Sequence, residues 1–141
     1  MNISKYITLA EATTSQTAVR KGIPNVPNAK ELENMQLVAT LVFDKVREHF
    51  GKPIRVSSFF RSLRLNVAVG GSKTSQHTKG MAIDMQGTNG LLNAQIFHYI
   101  KDNLEFDQLI WEYGTNKEPS WVHVSYNKGK NRGQVLYIGV K

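Results

Sequence analysis

The sequence predicts an α+β fold, N-terminal helices packed on a mostly antiparallel sheet, and three observations carry that reading. Helical periodicity is strongest early, between Ala29 and Phe50. Strand-like runs cluster late, from Gln108 to Val140, and Gly, Asn and Pro stand between them. At 141 residues, 40% hydrophobic and 21% charged, the chain has room for one domain (residues 1–141) with one substantial core. That length excludes a two-domain enzyme, and the balance excludes wholesale disorder and a membrane bundle.

In the first long helix Leu32, Met35, Ala39, Val42 and Val46 fall at three- and four-residue steps, and Val38 and Phe43 widen the stripe. Asn28 suits the N-cap, Glu31 and Glu33 complement the positive helix start, and Gly51 followed by Pro53 stops it. Ile54 to Val56 reads as a short strand, followed by a Ser-Phe-Arg turn and a helical stretch from Leu63 to Val69 that ends at Gly70 and Gly71. After the loop SKTSQHTKG, Met81 to Met85 reads as a strand and Leu91 to Asn103 as a second amphipathic helix. Gln108 to Glu112, Trp121 to Ser125 and Val135 to Val140 read as three more strands. NKGKNRG, between the last two, reads as a solvated basic hairpin loop. There is no internal repeat, low-complexity tract or linker.

Eighteen Lys and Arg against eleven Asp and Glu leave +7, which favours an anionic partner: nucleic acid, a membrane surface or an acidic cell-wall polymer. The absence of cysteine excludes disulfides, thiol nucleophiles and thiolate metal sites, so any metal must be held by His, Asp or Glu. The first residues lack the uninterrupted apolar region of a signal peptide, and no apolar run reaches the roughly 18 residues of a membrane span. The expectation is synthesis in the cytoplasm, no membrane insertion, and release by a separate route.

The chemistry lies in two segments, Ser75-Gln76-His77-Thr78-Lys79-Gly80-Met81-Ala82-Ile83-Asp84 and Trp121-Val122-His123-Val124-Ser125. Strand alternation puts Ala82 and Asp84 on one face, with Met81, Ile83 and Met85 on the other. It likewise separates Val122 and Val124 from Trp121, His123 and Ser125. Were the two strands neighbours, Asp84 and His123 would meet, and Gly80 allows the return that brings His77 over Asp84. Two neutral imidazoles, one carboxylate and an open fourth position are what a catalytic zinc site needs, because zinc prefers tetrahedral N and O ligands and acidifies a water bound to it.

The segment RVSSFFRSLRLNVAVGGSKTSQHTKGMAIDM, followed by FDQLIWE and WVHVSY, resembles the zinc D-alanyl-D-alanine carboxypeptidase family. That family includes L-alanyl-D-glutamate endolysins and is related in fold to the hedgehog signalling domain. The likeness runs from ITLAEATTSQTA almost to the C-terminus and is strongest to the small, often phage-encoded branch. Its core is Ser-x-His-x-x-Gly-x-Ala-x-Asp with a later Trp-x-His. The resemblance implies Zn2+ held by His77, Asp84 and His123 in a chain that cuts peptidoglycan stem peptides; a monomer is the expectation, although the sequence does not fix the oligomeric state. It also implies action at the cell wall or periplasm after release, or within a phage virion.

The family also places an arginine upstream of the first ligand to grip a substrate carboxylate, and Arg61 matches it; a guanidinium can do this through two parallel hydrogen bonds. Ser75 matches the serine before that ligand, and its hydroxyl either binds substrate or caps the loop. One departure stands out. Many members carry the catalytic acid three residues before the last ligand, and here that position is Ser120, which cannot act as a carboxylate base. Glu112 and Glu118 are the substitutes. Glu112 is preferred because the small branch tends to show Leu-Ile-x-Glu ahead of Trp-Val-His, although alternation leaves its direction open.

Two other function classes have some support in the sequence. A non-catalytic peptidoglycan-binding or tail module draws support from Ser120. A nucleic-acid binder rests only on charge and on Lys128, Lys130 and Arg132, without a recognised motif, so no nucleic-acid partner is expected. His49 suits a helix C-terminus and His98 a helix surface, outside the motif. Trp111, Tyr113, Trp121 and Tyr126 either wall a groove or pack, and on strands packing is the commoner role. A serine hydrolase is disfavoured because there is no Gly-x-Ser-x-Gly elbow.

Overall fold

A computed structural model describes residues 1–141. Two short helices that the periodicity did not predict open the chain: α1 (Leu9–Thr13), capped by Thr8 and Glu11 reciprocally, and α2 (Gln16–Lys21), capped by Ser15. Thr8-x-x-Glu11 is a capping-box signature, but so short a helix offers too few turns for an apolar stripe to register. The long helix forms where its caps place it. Asn28 Oδ1 accepts from Glu31 N at 2.8 Å, and Glu31 Oε1 accepts from Asn28 N at 2.9 Å. It runs as α3 (Ala29–Val38), one π-helical turn (Ala39–Phe43) and α4 (Asp44–Phe50), ending at Gly51 in the left-handed conformation at φ 63°.

Beyond it come β1 (Ile54–Ser58), α5 (Leu63–Ala68), a 3-10 turn (Gln76–Lys79), β2 (Ala82–Gly87), α6 (Asn93–Asn103), β3 (Gln108–Glu112), β4 (Trp121–Ser125) and β5 (Gln134–Ile138). The sheet order is β1-β2-β4-β3-β5, antiparallel throughout except for the parallel pair β3 and β5. Met35, Val38, Val42 and Val46 of the long helix and Ile96, Phe97 and Ile100 of α6 share one core with Ile83, Met85, Leu109, Trp111, Val122 and Val124 of the sheet. Full burial of such a side chain contributes about 1.5–3 kcal/mol, so this face sets the register. The opposite face is free to carry polar groups. No helix is long and apolar enough to cross a membrane.

The NKGKNRG stretch is not a hairpin. β5 pairs with β3 and not with β4, so the loop carries the chain past the start of β3. Its anchor is Arg132, whose N, Nε and Nη2 donate to the carboxylate of buried Asp107 at 3.0, 2.9 and 2.9 Å. Gln76 Nε2 donates to the same carboxylate at 2.7 Å. Arg132 first, against the opposing effect of burial, holds the Asp107 carboxyl down at about 2. A basic residue read as solvated thus fastens the loop before β5 to the start of β3, and Gln76 ties the same carboxylate to the turn that carries His77.

Gly80 closes that turn at φ 73°, and a β-carbon there would overlap the Glu31 carbonyl oxygen and lie 2.8 Å from Met35 Cγ. Backbone strain and the clash with α3 act together, so Gly80→Ala is expected to lose about 2–4 kcal/mol of stability. Urea denaturation measures this, and a loss below about 0.5 kcal/mol, within the range of ordinary surface substitutions, would show that the turn tolerates a side chain.

Candidate active site

Asp84 of β2 and His123 of β4 are direct cross-strand partners. Their core-facing neighbours Ile83, Met85, Val122 and Val124 turn both toward the other face, as alternation predicts. His123 Nδ1 stands 2.9 Å from Asp84 Oδ1, and His77 Nε2 stands 3.3 Å from the same oxygen. The ligand atoms of the three residues all lie within 4.8 Å of one another. His77 comes from the 3-10 turn, where Ser75 Oγ accepts from His77 N at 3.2 Å.

The tautomer of His77 decides what this cluster can hold. Its Nδ1 lies 2.7 Å from the Phe59 carbonyl oxygen, which can only accept, so Nδ1 carries the hydrogen. Nε2 of the neutral ring is then a lone pair, buried and without a hydrogen-bond partner, pointed into the neighbourhood of a carboxylate. Lone pair against carboxylate is repulsive in a low-dielectric site until a cation joins them. Burial pushes the Asp84 carboxyl up, but the two imidazoles, while they carry a second proton, outweigh it and hold the group well below the usual carboxylate range; with the rings neutral, a cation takes that place. A buried nitrogen, a second imidazole and one carboxylate fit zinc, and the Phe59 carbonyl is the outer partner that fixes a ligating histidine.

A cleft of about 550 Å³ opens over the cluster, and Arg61, Ser75, His77, Asp84, Glu112 and His123 all line it. The direction of Glu112 is settled by Trp111, which is buried against Phe97 and leaves Glu112 on the face of Ile110, the cross-strand partner of His123. Partial burial raises the Glu112 carboxyl; His123 opposes this and Asp84 adds to it. Glu118 is elsewhere. Its oxygens accept from Asn93 N and Ala94 N, both at 2.8 Å, and so cap α6. Burial pulls the Arg61 guanidinium down against the pull of Asp84, and its Nε has no partner within the protein.

Sequence reasoning missed Asn25. Its Nδ2 donates to the carbonyls of Thr13 and Phe60 at 2.9 and 3.0 Å, and its Oδ1 accepts from Ser62 N at 2.7 Å. It therefore clamps both neighbours of Arg61, while Arg61 N donates to the His77 carbonyl at 3.2 Å. No local pattern signals a contact between residues so far apart in the chain. His49 stacks on Tyr99 and His98 packs against Phe97 and Trp111, and neither lines the cleft.

The model of one known family, peptidase M15, matches residues 5–125 of the 141, a span that contains every residue of the metal cluster. The chain belongs to the peptidase M15 family. As a member it is a zinc metallopeptidase, and His77, Asp84 and His123 are the group in it that can hold the ion. The match ends where β4 ends, so β5 lies outside the span shared with the peptidase M15 model. No curated protein matches the chain.

Proposed function

We propose that the chain hydrolyses a peptide bond next to a D-amino acid in the stem peptide or cross-link of bacterial peptidoglycan. The observation that carries this reading is the placement of Arg61 and Glu112 in one cleft with the His77–Asp84–His123 cluster. Zinc, when bound, polarises the scissile carbonyl and lowers the pKa of water. Glu112 takes a proton from the attacking water at its carboxylate and returns it to the leaving amine. Arg61 holds a substrate carboxylate with two parallel hydrogen bonds. Both candidate bonds supply one on the leaving residue: the terminal carboxylate of D-Ala, or the free α-carboxylate of D-Glu joined onward through its side chain. Ser75 keeps His77 in its turn, and Asp107 with Arg132 steadies that turn from below. The +7 charge favours residence on an anionic wall after release.

Digestion of purified peptidoglycan and its muropeptides by zinc-loaded protein, followed by mass spectrometry beside a chelated control, tests the reading. Chelator-sensitive loss of one D-Ala would mark a carboxypeptidase, and separation of peptide from glycan-linked L-Ala an endopeptidase. Intact substrate from protein that retains zinc would mark a wall-binding module, the reading that Ser120 favours.

A further inference from the structure

We propose that Tyr113 and Trp121 form an apolar subsite for the acyl half of the substrate, the part on the amino side of the scissile bond; this rests on the peptidase reading above. Tyr113 directly follows Glu112 and has φ 58°, and Gly114 after it has φ 71°. Two successive left-handed residues make a turn that Asn-Gly adopts with little strain, because a larger side chain crowds the backbone there. A tyrosine persists in that conformation only where the surroundings fix it.

They do so closely. Tyr113 N donates to the Ile138 carbonyl at 2.7 Å, and the ring lies on the bare backbone of Gly139, where a β-carbon would collide with it. The ring nonetheless remains 48% exposed, 5.2 Å from the Trp121 ring and tilted 49° to it, so the pair makes an open notch and not a closed stack. Both rings line the cleft together with Ile138, itself 42% exposed. Trp111, by contrast, belongs to the core and Tyr126 packs against it. Large apolar side chains held exposed at one end of a charged cleft are a surface for an apolar ligand group.

The sheet order says which half of the substrate goes there. Arg61 follows β1, Tyr113 and Ile138 belong to the β3 and β5 side, and β2 and β4, with Asp84 and His123, stand between. With Arg61 on the carboxylate of the leaving residue, the acyl half runs toward the two rings. Its hydrocarbon groups, an alanine methyl and the aliphatic part of the residue before it, are the chemistry the notch takes.

Tyr113→Gly and Tyr113→Phe separate binding from structure, because glycine is at ease at this φ. On a zinc-loaded muropeptide assay, Tyr113→Gly should raise KM about tenfold with little change in kcat and hold its thermal midpoint, while Tyr113→Phe keeps the parent KM. A substrate trimmed to one residue before the scissile bond keeps only the alanine methyl for the notch and should narrow the KM difference between Tyr113→Gly and the parent. An unchanged KM for Tyr113→Gly overturns the subsite and leaves the peptidase reading intact. Quenching of tryptophan fluorescence by the same muropeptide in zinc-free protein gives a readout independent of hydrolysis. A quench weakened by Tyr113→Gly, with no cleavage by the loaded parent, would uphold the subsite and remove the peptidase reading; no quench in the parent would overturn the subsite whether or not the peptide is cut.

Discussion

His77→Ala and Asp84→Ala are each expected to lose zinc on gel filtration and to lower hydrolysis by about a thousandfold or more, since the Lewis-acid contribution of a bound metal amounts to several kcal/mol. The cluster offers three protein ligands, and removing either residue leaves two, too few to hold the ion in a defined geometry. The fold should survive both changes. The core packs on the other side of the sheet, through Ile83, Met85, Val122 and Val124, and none of these contacts involves the metal-facing side chains. Removing Asp84 also relieves the contact between a carboxylate and the His77 lone pair, so this variant should unfold close to the parent protein stripped of zinc. Zinc content by mass spectrometry, activity in excess zinc and the thermal midpoint are the three readouts. Full hydrolysis by either variant would remove its residue from the ligand set.

The features legible in the sequence were those with local causes. The Asn28–Glu31 cap, the stripe from Leu32 to Val46 and the Gly51 stop mark the long helix because capping and periodicity act within a few residues. Asp84 opposite His123 was legible for a different reason: alternation assigned each residue a face, and only the adjacency of β2 and β4 remained open. What could not be read depends on distant partners. The position of β5 beside β3 is fixed by ladder hydrogen bonds and by the Asp107–Arg132 pair, and its strand sequence would have suited a hairpin with β4 equally well. The clamp of Asn25 on the neighbours of Arg61 joins segments with no shared pattern. Glu112 is preferred to Glu118 only on the resemblance, since alternation leaves its direction open. Only the start of α6, which needs acceptors for Asn93 N and Ala94 N, engages one of them and leaves the other facing the cleft.

Glu112→Gln should therefore retain zinc and lose turnover by about 10²–10⁴-fold, the usual share of general-base catalysis, while Glu118→Gln keeps turnover and weakens the start of α6. The pH dependence sharpens the test. Burial first, with Asp84 in support and His123 opposed, raises the Glu112 carboxyl above its ordinary value of about 4.3. Below its own titration the group holds its proton and cannot accept another, so the acid limb of kcat/KM that belongs to Glu112 should vanish in Glu112→Gln. Stability moves the opposite way. The folded chain binds this proton more tightly than the unfolded one, so the contribution is present below the unfolded value and is lost as pH rises through the raised one. The same burial that raises the carboxyl of the proposed base thus disfavours the folded state at neutral pH, where the carboxylate is charged. Glu112→Gln, uncharged at every pH, should be at least as stable as the parent at pH 7 and show a smaller change in denaturation midpoint between pH 4 and pH 7. A residue held in a salt bridge would give the reverse, a variant less stable at pH 7 with its activity intact, and that result would move the search for the base away from β3.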